Sequence, residues 1–345
     1  MTKGGAKVRG DKRNYIWQFD FLRILMSLFV VFLHATSAQC YLHYERVFPI
    51  AINAIGRIAV PIFYMISGAL CLKNTGSNKR FIRHIALNIF LPLVAFSAFY
   101  VMYQVIGKNM PLEQVLKNSL SSSAYYHLPF LQQLLMVYLI ALVSRCGWCE
   151  LERPYKVCLV VCLLINDMLS ERGIRTFGII NLYSIGYAFL GSLMMDFIQE
   201  NSETCMRQSW LKAAACFTIY ALCTGLTTHL THQASLTAGA LNEMYFTYVR
   251  PLIVIGAATF FAGVFLIPLE PRSGAAVEKV LVGFRSATFG IYLIHPFLLE
   301  MMCKAWPVLQ NGAGAWCVLA GILCWMLSAV VCLAYTMVGR SIRNL

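Results

Sequence analysis

Charged residues are scarce in this chain of 345 residues. Only 12% of the residues are charged, and the acidic ones are the fewest, with 15 Asp and Glu against 28 Lys and Arg. Soluble domains carry about 25% charged and about 45–50% apolar residues, whereas 59% of this chain is hydrophobic. A single soluble core of this size has no room for so much apolar sequence, so the excess must face lipid. The composition excludes an ordinary soluble domain and predicts an all-α, polytopic integral membrane protein.

Long polar stretches are missing as well. A membrane-spanning helix needs ~20 mostly apolar residues, and no connection between such segments is long enough for a soluble domain. We therefore predict one membrane domain over residues 1–345, in which residues 1–14 form a basic cytoplasmic tail rather than a signal peptide. The amphipathic segment Gly274–Gly283 is predicted to lie along the membrane surface. The ten predicted spans are roughly 16–40, 47–72, 82–107, 126–145, 155–170, 178–198, 210–230, 247–269, 284–304 and 314–338.

The cysteines predict neither a disulfide framework nor a metal site. There are 13 of them, an odd number, and most lie in apolar runs, where cysteine behaves as a small hydrophobic residue. Cys146 and Cys149 form one C-x-x-C pair, but a structural zinc site needs four ligands and no second pair lies nearby.

The Lys and Arg residues predict the orientation in the membrane. With the N-terminus in the cytoplasm, nineteen of them fall in inside segments and eight in outside segments, and Arg23 lies within the first span. Cytoplasmic loops carry the excess of positive charge, so we predict an even number of spans and both termini inside. The net charge of +13 is attributed to this bias and to anionic lipids, and no nucleic-acid partner is predicted.

The first span contains three ionisable residues, Asp20, Arg23 and His34. Such residues are costly inside a membrane and each is a candidate functional residue. At 100° per residue, Arg23 and His34 share a helix face and lie ~16 Å apart along the axis. Asp20 lies one turn before Arg23 and is placed to pair with it. The residues alone are compatible with a structural ion pair and a buried polar histidine, or with a histidine that acts as general base or nucleophile.

Other polar residues have two interpretations each. Arg80 and Arg83 lie one turn apart at the start of the third span, as a topology signal or as a phosphate-binding patch. Arg57 is predicted near the outer end of the second span, where it extends to lipid headgroups or contacts an anionic substrate. The remaining candidates are His127, Glu243, Tyr248 and His295.

Five short motifs occur in order along the chain. They are Asp20 and Arg23 with His34; Arg57 to Gly68; Arg80 and Arg83; Tyr126 to Leu128; and Tyr292 to Pro296. Together they resemble the acyltransferase-3 family of membrane O-acyltransferases, most closely the branch of the enterobacterial common antigen O-acetyltransferases. One position departs, since Pro129 stands where the family usually has an aromatic residue.

The resemblance implies transfer of an acyl group, by default acetyl, from cytoplasmic acetyl-CoA to a hydroxyl of an extracytoplasmic glycan or lipid-linked sugar, in the inner (plasma) membrane. It implies that His34 is the general base or, as a variant, forms an acyl-histidine. Asp20 would orient Arg23, which would stabilise the donor. Arg80 and Arg83 would bind CoA, and the acceptor side would be lined by Arg57, His127, Glu243, Tyr248 and His295. The alternatives are a carrier of a small polar molecule such as an amino acid, and a non-catalytic assembly subunit.

Overall fold

The computed structural model describes residues 16–73, 76–171, 183–200, 206–268, 276–311 and 314–343, and these residues contain helices and no strand. The all-α prediction is confirmed. The helices are α1 (Trp17–Leu42), α2 (Val47–Gly56), α3 (Ala59–Cys71), α4 (Asn78–Ile85), α5 (Leu91–Met102), α6 (Leu112–Ser121), α7 (Pro129–Glu150), α8 (Arg153–Glu171), α9 (Tyr183–Glu200), α10 (Met206–Ala238), α11 (Pro251–Leu266), α12 (Ala276–Ala305), α13 (Val308–Asn311) and α14 (Ala315–Arg343). Two π-helical stretches (Ala86–Phe90 and Tyr103–Gly107) and a 3₁₀ turn (Glu243–Phe246) complete the helical structure of these residues.

Helices occupy all ten stretches that the sequence predicts as spans. Among the described residues, eight helical stretches are long and apolar enough to cross a membrane, and the shorter α8 and α9 occupy the other two. The predicted tail, residues 1–14, lies outside the described residues, as do 274 and 275. Residues 276–283 open α12, so they belong to that helix and do not form a separate surface helix.

The helices define two ends of the bundle, which we call the lower end, where α1 begins, and the upper end, where α1 finishes. At the lower end Arg145 of α7 donates to the carbonyl oxygen of Gly76, just before α4. At the upper end Asn53 of α2 donates to the carbonyl oxygen of Leu33 in α1. These contacts fix which residues of distant spans lie at the same height.

The second predicted span is broken in its middle, and the break corrects the position of Arg57. Helix α2 ends at Gly56 and α3 begins at Ala59. Proline has no backbone N–H, so Pro61 cannot donate to the carbonyl of Arg57, and the α-helical pattern resumes with Ile62 bonded to Ile58. Arg57 therefore lies ten residues into the span at the break between two helices, and not at its outer end.

Helices α3 and α9 pack through two glycines. A Cβ atom on Gly68 would lie 1.8 Å from the carbonyl oxygen of Ala188, and one on Gly191 would lie 2.2 Å from that of Met65. Small residues allow the backbones of membrane helices to approach closely. The contact holds α3, which carries Phe63 to Ser67, against the buried centre of the bundle.

Candidate active site

Three histidines from three distant helical segments meet in the upper half of the bundle. The ring centroids of His34 and His295 are 5.3 Å apart, and those of His127 and His295 are 5.8 Å apart. Tyr126 completes the group, with its ring centroid 4.9 Å from that of His34. We call His34, His127 and His295 the histidine cluster. It brings together positions separated by more than 250 residues of sequence.

The histidine cluster is open on the side of Tyr126. His127 and His295 are buried, His34 is half-buried and Tyr126 is 54% exposed. The cluster is therefore closest to the surface of the bundle at Tyr126, whose ring contacts His34.

His127 lies in the turn that precedes α7. Pro129 is the first residue of α7, a position where proline is favoured because the N–H it lacks has no partner in the helix. The Tyr292 hydroxyl donates to the carbonyl of His127 and fixes the turn against α12. The ring nitrogens of His127 are buried and have no well-formed hydrogen bond among the described residues, although the Leu293 carbonyl lies beside them.

Arg57 is connected to the backbone of α1 next to His34. Its Nε donates to Asn53 Oδ1 at 2.9 Å, and Asn53 Nδ2 donates to the Leu33 carbonyl at 3.0 Å and to the Thr36 hydroxyl at 3.1 Å. The Arg57 side chain is 13% exposed and lies 3.5 Å from Glu243 Oε1. This chain of contacts places a fixed positive charge at the level of the histidine cluster.

Glu243 and Tyr248 lie on the upper side of Arg57. The Arg57 guanidinium lies 4.3 Å from the ring centroid of Phe246, and the Tyr248 hydroxyl is close to the same guanidinium. The Tyr248 carbonyl accepts a hydrogen bond of 2.6 Å from Tyr187, which ties the segment before α11 to α9.

A second charged group lies at the upper end beside the histidine cluster. Glu300 Oε2 accepts from the Tyr125 hydroxyl at 2.6 Å and lies 2.9 Å from Lys108 Nζ, and Oε1 lies 3.3 Å from Lys304. Burial, followed by the hydrogen bond to Glu300, raises the pKa of Tyr125. These contacts hold Tyr125, whose ring packs 4.8 Å from that of Tyr126.

A cavity of about 440 Å³ lies below the histidine cluster, within the usual range of ~300–1,000 Å³ for small-molecule sites. Its upper wall includes Tyr292 and Phe130, and Tyr292 also contacts His127 through its hydroxyl. Its lower wall includes Arg23 of α1 and Arg285 of α12. The cavity therefore extends from two arginines at the lower end to Tyr292, which separates it from the histidine cluster.

Asp20 pairs with both of these arginines. Arg23 Nη1 lies 3.0 Å from Asp20 Oδ1, so the predicted pairing is present. Arg285 Nη1 lies 3.8 Å from Asp20 Oδ2. The carboxylate is 3% exposed whereas Arg285 is 53% exposed. One carboxylate paired with two guanidinium groups leaves a net positive charge at the lower opening of the cavity. Such a charge favours binding of an anionic ligand group.

Arg80 and Arg83 are exposed and lie outside the cavity wall. They are four residues before His84 and Leu87 respectively, and both of those residues line the cavity. Because residues four apart lie on the same helix face, each arginine is one turn below a lining residue. The pair therefore extends the positive surface from the lower opening toward the end of the bundle.

The family model of the acyltransferase-3 proteins, described as an acyltransferase domain, matches residues 16–335. The chain belongs to this family. No curated protein and no solved structure matches the chain. The acyltransferase-3 chain is thus a multi-pass membrane acyltransferase, and its helices provide both the lipid-facing surface and the candidate site.

The positions predicted for this acyltransferase-3 chain fall into two groups. His34, His127 and His295 come together, with Arg57 beside them and Glu243 and Tyr248 above it. Asp20 and Arg23 lie at the far end of the cavity, with Arg80 and Arg83 just outside it. Among the described residues, no group of His, Cys, Asp and Glu could hold a metal ion, and Cys146 and Cys149 are exposed.

The sequence did not single out four residues that the structure adds to the site. Tyr126 and Tyr292 each begin one of the five motifs and have no predicted role in the site, although both contact the histidine cluster. Arg285 was counted only as a topology charge. The contacts of Asn53 could not be predicted, because the hydrogen-bond partners of an asparagine among apolar residues depend on how the chain folds.

Proposed function

We propose that the protein transfers an acetyl group from acetyl-CoA to a hydroxyl of an extracytoplasmic glycan or lipid-linked sugar. The resemblance of its motifs to the enterobacterial common antigen O-acetyltransferase branch supports this acceptor class and a location in the inner (plasma) membrane. The observation that supports the proposal is the cavity whose lining runs from Arg23 and Arg285 at the lower end to Tyr292, next to the histidine cluster. It offers a polyanionic thioester donor a positive entrance and a largely apolar passage toward that cluster.

On the donor side, the phosphates of CoA bind at Arg80, Arg83 and Arg23, with Arg285 as a further cation. Arginine suits phosphate because its planar guanidinium donates two parallel hydrogen bonds. The pantetheine arm lies along the cavity between Phe63 and Phe130, and its thioester reaches Tyr292 below His34. Asp20 holds Arg23 in place.

At the histidine cluster, His34 acts as general base. It takes the proton of the acceptor hydroxyl as the oxygen attacks the thioester carbonyl; the C–O bond forms, the C–S bond breaks, and the imidazolium returns the proton to the leaving CoA sulfur. An acyl-His34 intermediate is the two-step variant. The acceptor enters beside the exposed Tyr126, and Arg57, Glu243, Tyr248, His127 and His295 flank it.

The test measures transfer from radiolabelled acetyl-CoA to glycan extracted from the host envelope, using purified protein in proteoliposomes. We expect His34→Ala to lower kcat about 100-fold or more, since a general base contributes roughly 10²–10⁴. We expect Arg23→Ala to raise the KM for acetyl-CoA. His229→Ala, a change of an exposed histidine on α10, is the matched control and keeps wild-type turnover.

Thermal unfolding with and without acetyl-CoA checks that each variant folds and binds the donor, because a ligand of the native state raises its stability. Wild-type turnover by a folded His34→Ala protein would refute the assignment of the base. A wild-type protein that neither binds nor consumes acetyl-CoA would refute the function itself.

A further inference from the structure

His295 has one ring nitrogen bound and the other buried without a partner. Its Nδ1 lies 2.8 Å from the Tyr292 carbonyl and 3.0 Å from the Ile291 carbonyl. Carbonyl oxygens only accept, so Nδ1 carries the proton. In the neutral ring Nε2 then has a lone pair, and the Nε2 atom is buried with no hydrogen-bond partner in the described part of the chain.

Pro296 explains why the backbone selects this tautomer. In an α-helix the Tyr292 carbonyl accepts from the N–H four residues later, which is position 296. Pro296 lies inside α12 and has no N–H, so that carbonyl needs another donor. The ring N–H of the preceding residue supplies it. The pair His295-Pro296 thus fixes an imidazole whose Nε2 can only accept.

His34 lacks the acceptor that a histidine base needs. A base that uses one ring nitrogen carries a proton on the other, and the partner of that N–H sets the tautomer. The structure gives His34 ring contacts but no hydrogen bond with a described residue. The charged or titratable groups near it are Tyr126, His295, His127 and Arg57. None of these is a carboxylate, and Arg57 can only donate.

The structure brings the His295 ring, whose Nε2 lone pair has no partner among the described residues, beside the His34 ring, which has no hydrogen bond with them. Two imidazoles joined nitrogen to nitrogen at ~2.9 Å have centroids about 5 Å apart. The His34 and His295 centroids are 5.3 Å apart and their planes differ by 28°, so the ring centres lie at the separation of such a bond. The bond requires the His34 ring to turn a nitrogen toward His295 Nε2, which has no other partner among the described residues. Such bonds are often long without substrate and tighten in the complex.

We propose that His295 Nε2 accepts the hydrogen bond of the His34 N–H and so orients His34 as the base. His295 is then a positioning residue, and it takes the place that a carboxylate occupies in Ser-His-Asp sites. The proton of the acceptor hydroxyl passes to the free nitrogen of His34, and His295 stabilises the resulting imidazolium without being protonated itself. This inference rests on the proposed function of His34.

Two substitutions separate this role from its alternatives. His295→Asn places an amide N–H near Nδ1, which keeps the bond to the backbone and removes the acceptor. His295→Gln places an amide oxygen near Nε2, which restores an acceptor and gives up the backbone bond. We expect the Asn variant to lose about 100-fold in kcat with an unchanged KM for acetyl-CoA, and the Gln variant to retain within about tenfold of wild-type kcat.

The order of the two variants decides the inference. A more active Asn variant would show that only the bond to the backbone matters. Equal, complete losses would make His295 itself a base, because an amide cannot replace one. Wild-type kcat in both variants would leave Nε2 without a role. Each of these three outcomes overturns the proposal.

Ring-¹⁵N-labelled histidine gives a readout that does not need turnover. In the wild-type protein we expect His295 to show a protonated Nδ1 and an unprotonated Nε2, and His34 to populate one tautomer that becomes mixed in His295→Asn. A protonated His295 Nε2, or no change at His34, overturns the inference. Absence of acetyl transfer by the wild-type protein would instead count against the proposed function, and the two failures are thereby distinguished.

Discussion

At the scale of single residues, Arg285 offers a prediction that the sequence did not make. It lines the lower wall of the cavity together with Arg23 and shares Asp20 with it. Because the side chain is about half exposed, its contribution to donor binding is screened and modest. We expect Arg285→Ala to raise the KM for acetyl-CoA about fivefold at unchanged kcat, with an effect that shrinks as salt increases.

The control for Arg285 is Lys279→Ala, which removes a charge of the same sign from an exposed position of α12 that does not line the cavity. Steady-state kinetics at low and high ionic strength measure both variants. If the two variants change the KM equally, the effect is one of overall charge, and Arg285 has no place in the donor site.

The same scale shows how far sequence reasoning reached into the site. His34, Arg23 and Asp20 were found because an ionisable residue in an apolar span stands out. That His34, His127 and His295 form one cluster was not predicted, since it depends on contacts between α1, α12 and the turn before α7. The spacing of a motif fixes a helix face but not the neighbour on that face.

At the scale of the helices, the close contact between α3 and α9 predicts that the stability of the protein is sensitive to small substitutions at two glycines. An added methyl group on Gly68 or Gly191 would overlap a backbone carbonyl on the other helix, and no change of rotamer can relieve that. We expect Gly68→Ala and Gly191→Ala each to destabilise the protein by about 3 kcal/mol or more, at the upper end of overpacking costs. Thermal unfolding in detergent measures the loss.

Gly147→Ala and Gly225→Ala are the matched controls, because an added Cβ there meets no atom within 4 Å. In a helix interior this change gains roughly 0.5–1 kcal/mol, so both controls should unfold at or above the wild-type temperature. Equal behaviour of all four variants would mean that the close approach of α3 and α9 is not needed for stability.

The sequence patterns predicted the positions of the helices but not the breaks within them. The helices were located from the apolar runs because lipid permits only backbones that satisfy their own hydrogen bonds, and eight of the described stretches are long and apolar enough to cross a membrane. Their interruptions were not predicted, although the break at Arg57 has a readable cause in Pro61. The rule that proline frees a carbonyl four residues earlier would have placed Arg57 at the level of His34 from the sequence alone.

At the scale of the whole molecule, the proposed reaction depends on which end faces the cytoplasm. Acetyl-CoA is a polyanion that does not cross lipid, so the lower opening must face the compartment that contains it. The bias of Lys and Arg predicts that this opening is inside, and the shared Asp20 with its two arginines lies at the opening. The proposed orientation and the proposed acetyl-CoA site therefore depend on each other. Both are wrong if the lower end of the bundle faces away from the cytoplasm.

Two introduced cysteines test the orientation. Glu152→Cys is exposed between α7 and α8 at the lower end, and Glu113→Cys is exposed on α6 at the upper end. The native cysteines with exposed side chains, Cys146, Cys149, Cys158 and Cys162, are changed to serine in both variants, as is Cys205 between α9 and α10. We expect a membrane-impermeant maleimide to label Glu152→Cys only in inside-out vesicles and Glu113→Cys only in intact, right-side-out spheroplasts.

Neither glutamate has a proposed role in the site, so both variants should still consume acetyl-CoA. In sealed vesicles, they should consume added acetyl-CoA only when the lower end of the bundle faces the outside solution. Labelling in the reverse sense would put the arginines on the wrong side for a cytoplasmic thioester and would rule out the donor path through the cavity.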